Sequence, residues 1–295
     1  SKGAIVLHLL RKYIGDEAFF DGIQIYLQQN AFQSAEVTHL KLAFEKITGQ
    51  DLNWFFNQWY YNPGHPIVDL KYRYDSIHKE IILDIYQKQD QHPNAQMPYH
   101  KILLDVDLIY SDTIIHQKII INNKQESILL HSENPPLTVN FDPGKMQVWE
   151  ANIAYQPEDL EIIYRRSGNI LDKIFVINQF KENLNFTKAA EILLPNFESQ
   201  HWFVQENILQ LASHFNIEEQ KILTDFSKQL LLSTSPTSRK NALDALSVMN
   251  DSQLVEIAKK LLKNDSSNMI KSKCIDILFK QLEANAYPFV KNYMG

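Results

Sequence analysis

The ten histidines of this chain are dispersed, and the closest two, His92 and His100, flank a stretch rich in proline, asparagine and glutamine. Solvent-exposed hydrogen bonding is expected there before metal ligation. No H-E-x-x-H segment sets two imidazoles and a general base on one helix face, so the standard zinc-peptidase site is absent from these residues. The sequence also carries no G-x-S-x-G nucleophile elbow, no glycine loop for phosphate and no paired-glycine dinucleotide fingerprint. Cys274, the single cysteine, falls on the apolar side of a helical pattern with no histidine beside it. It reads as a core thiol, and it leaves no partner for an internal disulfide or a thiolate zinc cage. Arg165 and Arg166, beside Gly168, could receive an anion, but a solvated pair opening the last domain is the expectation. Trp54, Phe55, Phe56, Trp59, Tyr60 and Tyr61 could form a ligand box. At helical spacing such rings are expected in a core, with Tyr60 or Tyr61 exposed at a domain junction.

The elements that carry these residues follow from periodicity. Residues 1–62 read as helical: Ala4, Ile5, Val6, Leu7, Leu9 and Leu10 surround a short helix on nearly every side, the pattern of a helix buried in a larger body that is expected to be mostly missing from these residues. Gly15 stops it and Asp16 can cap a second helix with Phe19, Phe20, Ile23, Tyr26 and Leu27 on one stripe. Ser34 can cap a third, with Val37, Leu40, Phe44 and Ile47 inward and Gly49 closing it. Asp51 opens a short aromatic fourth that ends at Asn62-Pro63-Gly64-His65-Pro66. From Ile67 the period becomes two. Val68, Leu70, Tyr72 and Tyr74 alternate, then Ile81, Leu83, Ile85 and Gln87, then Ile102 through Tyr110, with shorter runs to Phe141. Seven or so strands with turns between them predict an antiparallel β-sandwich over residues 66–153. Helical spacing then returns over residues 154–295, where segments at 204–209, 238–243 and 270–275 resemble one another and 171–177 reads as an eroded fourth copy. A period of this length suggests a HEAT-like repeat domain.

A chain of 295 residues exceeds one ordinary core, so two or three units are expected. An apolar fraction of 44% and a net charge of -6 without long like-charge blocks describe a packed, soluble protein with no electrostatic footprint for nucleic acid. The apolar run from Gly3 to Leu10 is too short for a membrane span and lacks a signal-peptide cleavage site. The compartment stays open between cytoplasm and a periplasmic or secreted location. The chain starts at Ser1, without methionine and inside a helical pattern, so an upstream part is expected to be missing.

Ser1-Lys2-Gly3-Ala4 and the following Ile5 to Arg11 are similar to the segment after the catalytic tyrosine in the aminopeptidase N family of zinc metallopeptidases. Gly15 to Phe19, Thr48 to Leu52, Trp54 to Trp59 and Pro63 to Pro66 continue the resemblance in order. Gln87 and Gln89 look like the paired glutamines where that family's sandwich begins. The resemblance implies the helical remainder of a thermolysin-like catalytic domain at 1–65, a β-sandwich, and a helical domain that leans over the cleft. It places the substrate-anchoring motif, the zinc ligands and the catalytic tyrosine before Ser1, the tyrosine immediately so. In that family a zinc-activated water attacks the scissile carbonyl, with a glutamate as base and the tyrosine hydroxyl on the oxyanion. This chain would hold no zinc and would be inactive alone. Lys2 and Gly3 would support the active site, Gly3 by close packing, although ordinary helix packing accounts for both residues. Peptide substrates would be met through the upstream half. Ile5, Leu9 and Phe20 would stand where that half packs. Two other readings remain: a non-catalytic protein-binding scaffold, and the epoxide-opening leukotriene hydrolase branch.

Overall fold

A computed structural model of the chain describes residues 2–89 and 97–293. It is a mixed α and β structure that divides into two compact units, residues 1–169 and 170–295.

The first unit opens with α1 (Lys2–Ile14), α2 (Asp16–Gln29), α3 (Val37–Thr48) and α4 (Asn53–Phe56), which runs on into a π-helical turn (Asn57–Tyr61). Val6, Leu9 and Leu10 of α1 meet Leu40 and Phe44 of α3 and the rings of Phe55, Phe56 and Trp59 in one core. Burial of α1 by the described residues is one-sided, with Ile5 exposed. Leu9, expected at a bare surface, is buried, whereas Phe20 and Leu27 leave the stripe of α2 for solvent.

Two caps differ from the sequence reading. Gly15, at φ 88°, precedes α2, and Asp16 instead pairs with Arg11 through bonds of 2.8 and 2.6 Å. Glu36 rather than Ser34 precedes α3, its backbone N–H donating to Nδ1 of His39 at 3.1 Å. Gly49 closes α3 in the left-handed region at φ 65°, as expected.

Gly22 marks the close approach of α2 to α3, because a Cβ there would stand 2.7 Å from Cε1 of the fully buried Phe44. Gly22→Ala is therefore expected to destabilise by about 1–2 kcal/mol, overpacking outweighing the better helix propensity of alanine. A denaturant midpoint that rises in this variant would refute the tight contact.

Seven strands are present among the described residues: β1 (Ile67–Asp75), β2 (Glu80–Gln87), β3 (Ile102–Ile109), β4 (Ile114–Ile121), β5 (Gln125–His131), β6 (Thr138–Phe141) and β7 (Glu150–Ile153). They form sheets ordered β5-β2-β1-β7 and β4-β3-β6. Alternation decides the inner faces: Val68, Leu70, Ile81, Leu83 and Ile85 of one sheet share a core with Ile102, Leu104, Val106 and Phe141 of the other. The fully antiparallel expectation needs one correction, since β7 runs parallel to β1, with Val68 opposite Ala151. The chain reaches that edge only after crossing through β6, and a crossover returns a strand in parallel.

Helix α5 (Pro157–Arg166) joins this unit. Tyr72 and Thr138 both donate to Oδ1 of Asp159, at 2.6 and 2.8 Å, while Oδ2 of the same carboxylate accepts from the backbone N–H of Gln156. The divisions at 65/66 and 153/154 thus fall inside one compact unit, because polar side chains tie helices to strands across both.

The second unit contains α6 (Ile170–Asn183), α7 (Phe186–Leu193), α8 (Trp202–Leu209), α9 (Ile217–Leu230), α10 (Pro236–Val248), α11 (Leu254–Asn264), α12 (Asn268–Leu282) and α13 (Tyr287–Val290). The four similar sequence segments lie in alternate helices, α6, α8, α10 and α12, and each of these packs on the next. Arg239 of α10 and Asp265 before α12 make a bidentate pair, 2.8 Å at each bond, with side chains only 10% and 4% exposed.

Candidate functional site

Lys2 and Gly3 stand at the beginning of α1. The Lys2 ammonium donates to the carbonyl of Gly64 at 2.8 Å, which ties the start of the chain to the loop that ends the helical segment. At Gly3 an added Cβ would meet nothing within 4 Å, so the close packing expected of it is not made by the described residues.

The helical segment is joined to the sheets by buried amides. Gln58, on the π-helical turn, lies beside Lys101 at the start of β3: its Nε2 donates to the Lys101 carbonyl at 2.9 Å and its Oε1 accepts the Lys101 N–H at 2.8 Å. A side-chain amide thus pairs with a backbone amide as a neighbouring strand would. Gln87 continues the inward face of β2 after Ile85 and is fully buried. Its Nε2 donates to the carbonyls of His100 and Asn123, and its Oε1 accepts from the His100 N–H and from Nε2 of Gln89. Gln89 also donates to Nδ1 of His100 at 3.2 Å, while its Oε1 accepts from the N–H of Ile67.

His100 is the surprise in this joint. It is buried beside Trp59, ring centroids 5.7 Å apart, contrary to the solvent-exposed role expected for it. The glutamines satisfy its backbone and one ring nitrogen, so burial costs less than the polar neighbouring sequence suggests. Burial, followed by the charges of His65 and Lys2, pushes its imidazole down to about 4. Because Gln89 can only donate through Nε2, Nδ1 is the acceptor and the proton sits on Nε2, which has no partner among the described residues. His92 lies outside the described residues.

The remaining candidates separate from this joint. Phe55, Phe56 and Trp59 are core, and Tyr60 and Tyr61 are exposed. Cys274 is buried in α12, and desolvation pushes its thiol up to about 12, far from nucleophilic. Arg166 is no free surface cation: it donates to the carbonyls of Ser111 at 2.7 Å and Tyr110 at 3.2 Å, while Arg165 pairs with Glu161 on its own helix. No group of three His, Cys, Asp or Glu that could hold a metal occurs among the described residues. No helix among them is long and apolar enough to cross a membrane.

Beside the joint lies a cavity of about 280 Å³, between α1, the aromatic helix and the outer face of β3 and β4. Leu9, Phe55 and Trp59 wall it on the helical side.

Residues 1–59 match the family model of the peptidase family M1 domain. Aminopeptidase N of Lactococcus lactis subsp. lactis is 32% identical over 68 residues, 23% of this chain and 8% of that protein. Probable aminopeptidase 2 of Sulfurisphaera tokodaii is 24% identical over 199 residues, 67% of this chain and 23% of its own length. Probable aminopeptidase 1 of the same organism is 21% identical over 268 residues, covering 86% of this chain and 31% of the relative. The chain therefore spans less than a third of each of these curated relatives. Among solved structures, aminopeptidase A of Legionella pneumophila in complex with aspartic acid superposes with a TM-score of 0.73 over 99% of this chain and 40% of that chain, at 12% identity. At that identity the likeness is one of fold.

Proposed function

We propose that this chain, a relative of the M1 aminopeptidases, is the non-catalytic C-terminal portion of a zinc-dependent aminopeptidase that removes N-terminal residues from peptides. The observation that carries the reading is the joint. The helical segment that matches the M1 domain is clamped to the sheets by Gln58, while Ile5, Phe20, Leu27 and Leu42 present large apolar groups on that same segment. Exposed apolar groups of this kind suit a surface that packs on further protein, here the upstream half of the peptidase domain. Residues 1–65 would then be its helical remainder, buttressing the active site, with Lys2 as a positioning residue through Gly64. Gly3, lacking a close neighbour, contributes through α1 alone.

Residues 66–153 are read as a β-sandwich spacer, a reading supported by the single core shared between the two sheets. Residues 154–295 are read as a HEAT-like helical domain that shapes access to the cleft. The recurrence of similar segments in α6, α8, α10 and α12 supports this. Zinc belongs to the full-length parent in this proposal. The described side chains offer no ligand set for it, so no chemical step is assigned to this chain.

The test is release of aminoacyl-naphthylamides by the full-length parent and by this chain, each with and without a zinc chelator. Chelator-sensitive turnover by the parent and none by this chain is the expected result. Turnover by this chain alone would overturn the assignment. A folded, zinc-replete parent that is silent on a broad substrate panel would favour the protein-binding scaffold instead.

A further inference from the structure

The amides of the joint carry a direction. The backbone of His100 sets Gln87, whose Nε2 donates to the His100 carbonyl and whose Oε1 accepts from the His100 N–H, both at 2.8 Å. That places an acceptor, Oε1 of Gln87, 2.9 Å from Nε2 of Gln89, while the N–H of Ile67 places a donor 3.3 Å from Oε1 of Gln89. Gln89 is thereby fixed at both ends, and what it offers the ring of His100 is a donor. Each amide is held by the one before it, and the series ends on Nδ1.

A proton added to Nδ1 sets donor against donor. Turning Gln89 over repairs that contact and spoils two others, because its oxygen then faces Oε1 of Gln87 and its NH2 group faces the N–H of Ile67. Nε2 of the ring, buried and without a partner among the described residues, gives the charge no outlet. The charged groups that the ring feels are His65, in the loop before β1, and Lys2 of α1, both basic. The carboxylate of Glu150 faces His65 instead, at 2.8 Å. No orientation of the joint accepts an imidazolium, so a protonated ring must leave for water. It leaves from Trp59, and it stands one residue from Lys101, the backbone partner of Gln58.

We infer that His100 is a proton-operated latch on the joint: a neutral ring holds the helical segment to the sheets, and protonation swings the ring out and frees Lys101 from Gln58 without unfolding the strands. The ring titrates near 4 in place and near 6.5 in water. The open form binds the proton more tightly, so its population grows as pH falls from about 6.5, up to about tenfold per unit, and levels off below about 4. The latch belongs to the joint alone and stands whichever way the peptidase reading falls.

Native-state hydrogen exchange of the full 295-residue chain, resolved by NMR, tests it at the amides of His100 and Lys101. Leu83, in the middle of β2 between β1 and β5, is the reference. Between about pH 7 and 4.5 the protection of the two joint amides, corrected for intrinsic rate, should fall about fiftyfold. At the lower pH it should not respond to dilute urea, since a local opening exposes little surface. Leu83 should stay more protected and keep its urea dependence. In His100→Asn the amide oxygen accepts from Gln89 as Nδ1 did and does not titrate, so the fall should vanish. Protection that is constant with pH, a fall of the same size in His100→Asn, or joint amides that follow urea as steeply as Leu83 would each overturn the latch. The wild-type series reads two of these three outcomes, so the test survives a variant that fails to fold.

Discussion

Arg239→Met is expected to destabilise the second unit by about 3–5 kcal/mol, because it leaves the carboxylate of Asp265 buried without its cation. The guanidinium does more than pair. Its Nη1 donates to the carbonyls of Ser233 and Thr234, at 2.8 and 3.1 Å, so the variant also strands two acceptors at the turn before α10. Denaturant unfolding followed by circular dichroism reads the loss. The double variant Arg239→Met, Asp265→Leu should recover most of it, since removing both charges restores an apolar contact. A single variant that costs under about 1 kcal/mol would show that the pair is solvated, as surface pairs are. Arg239, and then the N–H of Ser267, hold the Asp265 carboxyl below the ordinary aspartate range. The stabilisation is therefore present above that range and is lost as pH falls through the depressed value.

Gln87→Leu should cost the first unit about 3–5 kcal/mol. It orphans both the N–H and the carbonyl of the buried His100, at about 1–3 kcal/mol for each buried group left unpaired, and removes one bond each from the Gln89 amide and the Asn123 carbonyl. Leucine fills a similar volume and continues the apolar face of β2, so a packing account alone predicts little change. Thermal unfolding distinguishes the two, and a shift equivalent to less than about 1 kcal/mol would refute the network. An acid titration of the wild-type chain supplies a second readout. His100 titrates near 4 when folded and at the ordinary value, about 6.5, when unfolded. Between those values the unfolded chain binds the extra proton, so stability must fall as pH drops from about 6.5 to 4. Replacing His100 with asparagine should flatten that slope.

The sequence made the periodic parts of this fold legible. Alternation assigned the inward residues of β1, β2 and β3, and helical spacing assigned Phe55, Phe56 and Trp59 to a core. Gln87 was readable as well, since it keeps the parity of Ile81, Leu83 and Ile85, and a polar residue on a core face signals a buried network. What local pattern misses is whatever a distant segment decides. His100 follows a stretch of polar residues and reads as exposed, yet Gln87 and Gln89, more than ten positions earlier, satisfy it in the interior. The parallel edge formed by β7 depends on a crossover, which four residues cannot announce. Ser34 and Glu36 are both able to cap, and the path of the preceding turn chooses between them. Lys2 carried its signal only in its likeness to a family segment, because a contact across 62 positions has no local trace.

The π-helical turn at Asn57–Tyr61 has a consequence for how the chain tolerates change in length. Such a turn is an α-helix carrying one residue too many, and each α-helical residue advances by about 100°. Here the extra residue sets Gln58 and Trp59, adjacent in sequence, both toward the interior. Deleting one position between Asn57 and Tyr61 would relax the turn to ordinary helix and rotate the clamp off Lys101, however conservative the deleted side chain. Insertions and deletions should therefore accumulate in the loops on either side, while this five-residue turn keeps its count like the tooth of a gear.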